Sequence, residues 1–272
     1  MTPELINRIT LIPGFNPGPY TGTGNNTYLI GGREPVLIDT ATGKTRHLEA
    51  LTQALKRQTS RLARVLVTHG HPDHASGAEA IGQRWPGTPF AKMSWPERDQ
   101  HFPVDWLSLR DGDVVAAGDT QLRAVHTPGH APDHLCFFEE ESRILFCGDL
   151  VIKGNTVVIP SSHGGNLSEY LSSLRRTVEL APTKLLPGHG PEIDDPAELI
   201  TEYLDHRRRR EDQIVAALAD GCLTVEAIVG RVYLSLSAGL VPAASESVLA
   251  HLIKLRDEGR VRENTDSEWA LI

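Results

Sequence analysis

Val65-Leu66-Val67-Thr68-His69-Gly70-His71-Pro72-Asp73-His74 is a short apolar run that ends at once in imidazoles, a glycine, a proline and a carboxylate. The three aliphatic residues read as a buried strand. The segment after them places three histidines and an aspartate within six residues, at the mouth of that strand. Residues two apart on an extended segment point the same way, so His69 and His71 can face one ion. Asp73 and His74 lie beyond the turn and can face a second position close by. Imidazole nitrogen with carboxylate oxygen is a donor set that Zn²⁺, Mn²⁺ and Fe²⁺ accept, and the absence of thiolates argues against a closed structural site.

The same arrangement recurs along the chain. Val36-Leu37-Ile38, Leu122 to Val125, Ile144-Leu145-Phe146-Cys147 and Leu185-Leu186 read as further buried strands. Val125 runs into His126-Thr127-Pro128-Gly129-His130, Cys147 into Gly148-Asp149, and Leu186 into Pro187-Gly188-His189-Gly190. Parallel neighbours would bring these turns together, because sheet-based sites gather where strands end. Amphipathic stretches alternate with the strands, which is the pattern of an α/β fold with sheets covered by helices. Asn166, followed three residues later by Glu169, has the form of a helix start, and Leu167, Tyr170, Leu171, Leu174 and Val178 continue it at helical spacing.

Composition narrows the class. The chain has 272 residues, 40% hydrophobic and 23% charged, as expected of a globular protein with one main core and an appendage. No apolar run reaches the roughly 20 residues of a bilayer crossing, and Met1-Thr2-Pro3-Glu4-Leu5 lacks the character of an export signal. A cytoplasmic location, or an organelle matrix after removal of a targeting peptide, is the expectation, with no membrane partner. Cys136, Cys147 and Cys222 are widely spaced and read as buried reduced thiols. The net charge of −8 falls mainly on residues 1–205, since residues 206–272 carry nine basic against ten acidic side chains. A basic stripe of the kind that marks DNA-binding modules is absent from the tail.

The tail has its own character. A long helix is predicted from Pro196 to about Leu218. Thr224 can cap a short helix, and Ser245 another, with Val248, Leu249, Leu252 and Leu255 as its apolar face and Gly259 as its stop. Val261 to Glu263 and Trp269 to Ile272 read as two short strands. We therefore expect a catalytic domain over 1–205 and a winged-helix-like domain over 206–272.

The landmarks Leu37-Ile38-Asp39-Thr40, His69 to His74, Thr127-Pro128-Gly129-His130, Gly148-Asp149 and Pro187-Gly188-His189-Gly190 resemble, in order, those of the metallo-β-lactamase superfamily. The resemblance implies an αββα sandwich with two divalent metal ions at one edge, zinc by default. His69, His71 and His130 would hold the first ion and Asp73, His74 and His189 the second. Asp149 would bridge them, and Asp39 would fix a ligand imidazole from behind. Such a pair lowers the pKa of a bridging water, so that hydroxide attacks a carbonyl carbon or a phosphorus, with Asp73 orienting it.

Within that superfamily the chain is most similar to a branch of single-strand-directed endoribonucleases, through Asn16-Pro17-Gly18-Pro19, Gly24 to Leu29, His206-Arg207, Asn264-Thr265-Asp266 with Trp269, and the tail. Phosphodiester hydrolysis of single-stranded RNA is the leading expectation. Thioester or lactone hydrolysis of a small substrate, as in glyoxalase II, follows. A β-lactamase-type amide hydrolase and a non-enzymatic winged-helix binding module complete the alternatives. Ser161-Ser162-His163-Gly164-Gly165 departs from the branch pattern near the metal edge. His134 is a candidate general acid or substrate contact, set against a packing role. Asn26, in Asn25-Asn26-Thr27, is a candidate substrate contact, set against a turn-forming role. Arg207 to Arg210 reads as a solvated, salt-bridged face.

Overall fold

Alternation along the strands decides the layering. Val36 and Ile38 lie in one buried cluster and Leu37 in another, and Leu135 and Phe137 part in the same way from Cys136 and Phe138. Each strand is thus buried on both faces, which explains its continuous apolar reading. The computed structural model describes residues 5–264 and 267–272, so Met1-Thr2-Pro3-Glu4 and Thr265-Asp266 lie outside the described residues.

The first sheet has six strands in chain order: β1 (Ile9–Pro13), β2 (Asn26–Ile30), β3 (Val36–Ile38), β4 (Arg64–Leu66), β5 (Phe90–Lys92) and β6 (Trp106–Ser108). The first three pair antiparallel, and β3 to β6 are parallel. Among these strands run α1 (Thr45–Arg57), α2 (Pro72–Ala75), α3 (Ala78–Arg84) and α4 (Pro96–Asp99). The second sheet is ordered β11-β10-β9-β8-β7, with β7 (Val114–Ala117), β8 (Thr120–His126), β9 (Leu135–Glu139), β10 (Ile144–Gly148) and β11 (Lys184–Pro187).

The sheets pack face to face through Tyr28, Ile30, Ile38 and Leu66 against Leu122, Phe137, Phe146 and Leu186. The outer face of the first sheet is covered by α1 and α3, through Leu51, Leu55 and Ile81 on Leu29, Leu37 and Val65. That of the second is covered by α5 (Leu167–Leu180) and α6 (Pro196–Ala219), through Tyr170, Leu174, Ile200 and Tyr203. This is the αββα sandwich. The expectation of parallel neighbours needs one correction: β9 stands between β8 and β10 and runs antiparallel to both. Two reversals restore direction, so β8, β10 and β11 all end at one edge.

Asn166 caps α5 through its side-chain oxygen, which accepts from the Glu169 N–H at 3.1 Å. Val178, expected on the apolar face, is instead 39% exposed near the end of that helix. Helix α6 carries Ile200 and Tyr203 into the sandwich and Ile214, Ala217 and Leu218 into the core of the tail, so the expected division between 205 and 206 falls inside one continuous helix. The tail continues with α7 (Val225–Val232), capped by Thr224 at 3.2 Å from the Ala227 N–H, then α8 (Val241–Asp257), β12 (Val261–Glu263) and β13 (Trp269–Leu271). Ser245 does not cap α8. The helix begins a turn earlier, with Pro242 in its first turn, where the missing N–H costs nothing.

Two further expectations change. Cys136 and Cys147 are buried free thiols, but Cys222 is only partly buried. Arg208 and Arg209 are solvated as expected, but Arg207 to Arg210 form no salt bridge among the described residues: Arg207 is buried and donates to the Val157 carbonyl, and Arg210 lies over the Tyr233 ring at 4.0 Å. No helix among the described residues is long and apolar enough to cross a membrane.

Candidate metal centre

The edge where the strands end gathers seven donor side chains. His69 and His71 follow β4, and Asp73 and His74 stand on α2, whose Pro72 opens its first turn. His130 follows β8, Asp149 follows β10, and His189 follows β11. Their donor atoms form three overlapping groups, each within 4.8 Å: His69, His71 and His130; His69, His74 and Asp149; Asp73, His74 and His189. Asp149 stands between the outer two groups, with Oδ2 3.6 Å from His130 Nε2 and 3.5 Å from His189 Nε2, and Oδ1 3.3 Å from His74 Nε2. Close approach here requires Gly188, because a Cβ at that position would stand 2.6 Å from both Asp149 Oδ1 and His74 Cε1.

Hydrogen bonds behind the rings decide which nitrogen faces the centre. His74 Nδ1 lies 2.8 Å from Asp39 Oδ2, and His130 Nδ1 lies 2.8 Å from the Val158 carbonyl. A carboxylate and a carbonyl can only accept, so both rings hold a proton on Nδ1 and turn Nε2 inward, the nitrogen that would offer its lone pair to a cation. Thr68 Oγ1 donates to Asp39 and receives His69 Nδ1 at 3.0 Å, which turns His69 Nε2 inward as well. His71 Nδ1 completes the first group, 3.0 Å from His69 Nε2 and 2.9 Å from His130 Nε2. Such inward nitrogens beside a carboxylate are the lone pairs a divalent cation requires, and the donor set fits two such ions side by side.

Charge divides the centre in the same sense. Burial holds His69 well below the ordinary imidazole range and lowers His130, and it brings His71 down to about 3, each helped by neighbouring imidazoles. Burial opposes a charge on His74 and His189 too. There Asp149 and Asp73 outweigh it, joined at His74 by Asp39, so that His74 is raised well above the usual range and His189 to about 9. Burial likewise works against the Asp149 and Asp73 carboxylates, yet His74 and His189 hold both well below their usual range.

Two sequence expectations are corrected by this geometry. His134 is fully buried, its Nε2 accepts from the Asp149 backbone N–H at 3.0 Å, and its Nδ1 lies 2.8 Å from Thr127 Oγ1. With both nitrogens engaged it cannot exchange a proton with substrate or contact it; it fixes the backbone that carries Asp149. Asn26 donates to the carbonyls of Pro187 at 3.0 Å and Gly190 at 2.8 Å, clasping the loop that bears His189. Its neighbour Asn25 reaches the donors instead, with Nδ2 3.1 Å from Asp73 Oδ2. Adjacent residues entering a strand point to opposite sides, and the motif alone did not say which faced inward. The Thr68 hydroxyl and the Val158 carbonyl also escaped sequence reading, the first as an ordinary polar residue and the second because any residue offers a carbonyl.

Beside His71 the rim is aromatic and basic. The Trp95 and His71 rings lie 6.1 Å apart, and the Arg98 guanidinium sits 5.3 Å from the Trp95 ring centre. Phe15, on the loop that leads to Asn16 and Asn25, lies under Arg46 of α1, whose guanidinium is 4.4 Å from the ring centre. The inserted Ser161–His163 turn rests on the tail, where the Glu246 carboxylate accepts from the Ser162 N–H at 3.1 Å.

Residues 20–189 match the family described as Metallo-beta-lactamase superfamily. The chain belongs to that superfamily. Residues 224–269 match the Beta-lactamase associated winged helix domain, which accounts for the tail. Relatives of this superfamily member include a Beta-lactamase-like protein 2 homolog of Caenorhabditis elegans, 34% identical over 95% of this chain and 87% of the relative. An Atrochrysone carboxyl ACP thioesterase of Aspergillus chevalieri is 31% identical over 95% of this chain and 84% of its own. Among solved structures, the metallo-beta-lactamase family protein TTHA1429 from Thermus thermophilus is 26% identical, with a TM-score of 0.76 over 98% of this chain and 99% of that one. TTHA1623, solved in a di-iron-bound form, is 25% identical, with a TM-score of 0.54 over 65% of this chain and 92% of its own. The metallo-β-lactamase fold with a winged-helix tail is therefore that of a metal-dependent hydrolase family.

Proposed function

We propose that this protein is a dinuclear hydrolase that cleaves phosphodiester bonds of single-stranded RNA. The position of Asp149 carries the hydrolase reading: one carboxylate reaches imidazoles of both outer donor groups. In this reading His69, His71 and His130 hold one ion and Asp73, His74 and His189 the other. Asp149 is shared between them, and zinc is the default metal. When bound, such a pair supplies an activated water and neutralises charge that builds on the substrate.

The residues of the chain do the rest. Asp73, tied through Oδ2 to Asn25, orients the attacking water. Asp39 and the Val158 carbonyl keep the His74 and His130 protons on the outer nitrogens. His134 holds the Asp149 backbone in register.

The rim supports the choice of substrate. Beside His71, Trp95 with Arg98 joins an aromatic face to a guanidinium; Phe15 with Arg46, next to Asn16 in sequence, is a second such pair, and neither arginine pairs with a carboxylate among the described residues. Flexible single strands are bound by such stacking surfaces and by cations that meet phosphate. A second reading, acyl thioester hydrolysis, is favoured by the likeness to the Aspergillus chevalieri thioesterase over 95% of this chain.

Incubating the metal-loaded protein with an unstructured RNA and with an acyl thioester, each beside Asp73→Ala, separates the two. RNA cleavage that disappears in the variant is the expected result. Thioester turnover by the wild type without RNA cleavage would move the function to the second reading.

A further inference from the structure

The group formed by Asp73, His74 and His189 has a neighbour that is neither acid nor imidazole. Asn25 is 1% exposed, and its Nδ2 lies 3.1 Å from Asp73 Oδ2, 3.2 Å from His74 Nε2 and 3.4 Å from His189 Nε2. An amide can present either end to such a point, with opposite consequences. Its oxygen can ligate a cation, and its NH₂ can only donate.

The surroundings decide which end faces in. The Asn25 backbone N–H donates to Asn16 Oδ1 at 3.0 Å, which fixes the Asn16 amide with its oxygen on that backbone. Asn16 Nδ2 is thereby left toward the Asn25 side chain and stands 2.5 Å from Asn25 Oδ1. The Asn25 oxygen is therefore an acceptor for Asn16, and its nitrogen is the end that meets the donors. The pair is held on both sides: Thr21 Oγ1 donates to the Asn16 carbonyl at 2.7 Å and the Gly14 N–H to the Asn25 carbonyl at 2.8 Å. A Cβ at Gly14 would stand 2.7 Å from Asn16 Oδ1, so the loop is shaped around that amide.

We propose that Asn16 and Asn25 form a relay of two amides that aims an N–H donor, in place of a ligand oxygen, at the substrate oxygen held beside Asp73, His74 and His189. The proposal rests on the metallohydrolase reading above. One N–H of Asn25 steadies Asp73. The other lies against the inward nitrogens of His74 and His189, where negative charge develops on a substrate oxygen as the scissile bond breaks. A donor fixed there in advance stabilises that charge and, having no lone pair to offer, leaves the cation's coordination position open. Asn25 acts on the reacting atoms, and Asn16 is a positioning residue.

The test uses the full chain loaded with zinc and measures kcat and KM on the substrate that the wild type turns over, together with the rate at which zinc leaves to a chelator. Asn25→Ala should retain both zinc equivalents and lose roughly a hundred- to a thousandfold in kcat, with little change in KM. Asn25→Asp replaces the donor by an oxygen and should release its second zinc more slowly while losing a similar factor in kcat. Asn16→Ala, which frees the Asn25 amide to turn, should show a smaller loss of kcat. Circular dichroism and melting curves identify folded variants, and the partly exposed Asn16 supplies a variant that leaves Asn25 in place. An unchanged kcat in folded Asn25→Ala, or unchanged zinc release in Asn25→Asp, would overturn the proposal. Wild-type protein that binds no zinc, or hydrolyses neither RNA nor thioester, would overturn the underlying reading as well, so the two failures are distinct.

Discussion

Asp39 Oδ2 lies 2.8 Å from His74 Nδ1, with both side chains buried, while Oδ1 of the same carboxylate receives the Thr68 N–H at 2.7 Å. Through the Thr68 hydroxyl that carboxylate also reaches His69, so one acid sets the tautomers of two imidazoles. Asp39→Ala is expected to weaken metal binding by about ten- to a hundredfold, the usual effect of losing such a partner. Asp39→Asn should do comparable harm, because an amide cannot serve Thr68 and His74 with two acceptor oxygens. Chelator-competition titration checks both variants, and wild-type affinity in either would count against the assignment.

Arg207 ties the tail to the metal edge. It donates to the Val157 carbonyl from α6 and lies over the Tyr170 ring at 5.4 Å, and the next carbonyl, that of Val158, orients His130. Arg207→Met should keep most of the packing and leave the Val157 carbonyl unpaired, costing roughly 1–3 kcal/mol. Urea unfolding measures that loss. A parallel metal titration should show weaker binding, and a variant that loses stability while keeping wild-type affinity would separate Arg207 from the centre.

Lys92 is fully buried, with Nζ 2.6 Å from Asp99 Oδ1 and 2.8 Å from Asp133 Oδ2. This charge fastens α4, next to Trp95, to the loop between His130 and His134. Lys92→Met would leave Asp133 buried without its cation, a loss on the order of 3–5 kcal/mol. A loss of unfolding free energy in urea titration of less than a quarter of that size would mean that the two aspartates find other partners.

Acid should destabilise the protein in part through His47. Thr27 Oγ1 donates to the Ile12 carbonyl and so receives the His47 Nε2–H at 2.9 Å, which leaves a buried Nδ1 without a partner. Burial lowers this imidazole to about 4. Between pH 6.5 and 4 the unfolded chain takes up a proton that the folded chain refuses. The contribution to stability is therefore complete above pH 6.5 and is lost as pH falls through that window, on the order of 3 kcal/mol in all. His47→Gln keeps a donor for Thr27 and cannot titrate, so its urea midpoint should fall less steeply than the wild type's from pH 7 to pH 4. Equal slopes would place the acid sensitivity elsewhere.

Metal should raise thermal stability, because a ligand that binds only the folded chain stabilises it by about 2.7 kcal/mol at a hundred times its dissociation constant. Zinc added to chelator-treated protein is expected to shift the melting curve upward, and His69→Ala should abolish most of that shift. An identical rise in the variant would point to zinc bound away from His69, His71 and His130.

Much of this protein was legible before its fold was known. The buried strand at Val36-Leu37-Ile38, the cap at Asn166 and the donors clustered after Val67 follow from rules that act over a few residues, namely apolar patterning, unsatisfied helix ends and ligand chemistry. Short-range rules also placed Thr224 at the head of a tail helix, but they put the start of α8 at Ser245, since a proline-led first turn at Val241 leaves no polar cap to read.

The sequence by itself determined a fold of sheets covered by helices, the imidazoles and carboxylates on offer where strands end, and the helix-and-hairpin pattern of the tail. Only the tertiary structure decided that Asn25 and not Asn26 faces the donors, that His134 is spent on the Asp149 backbone, and that Arg207 is buried against Val157. Each of these depends on what another segment places opposite the residue: a carboxylate 48 positions away, a backbone N–H 15 away, a carbonyl 50 away. Local preference fixes which groups a chain can offer, and the folded surroundings fix which of them are left free to act.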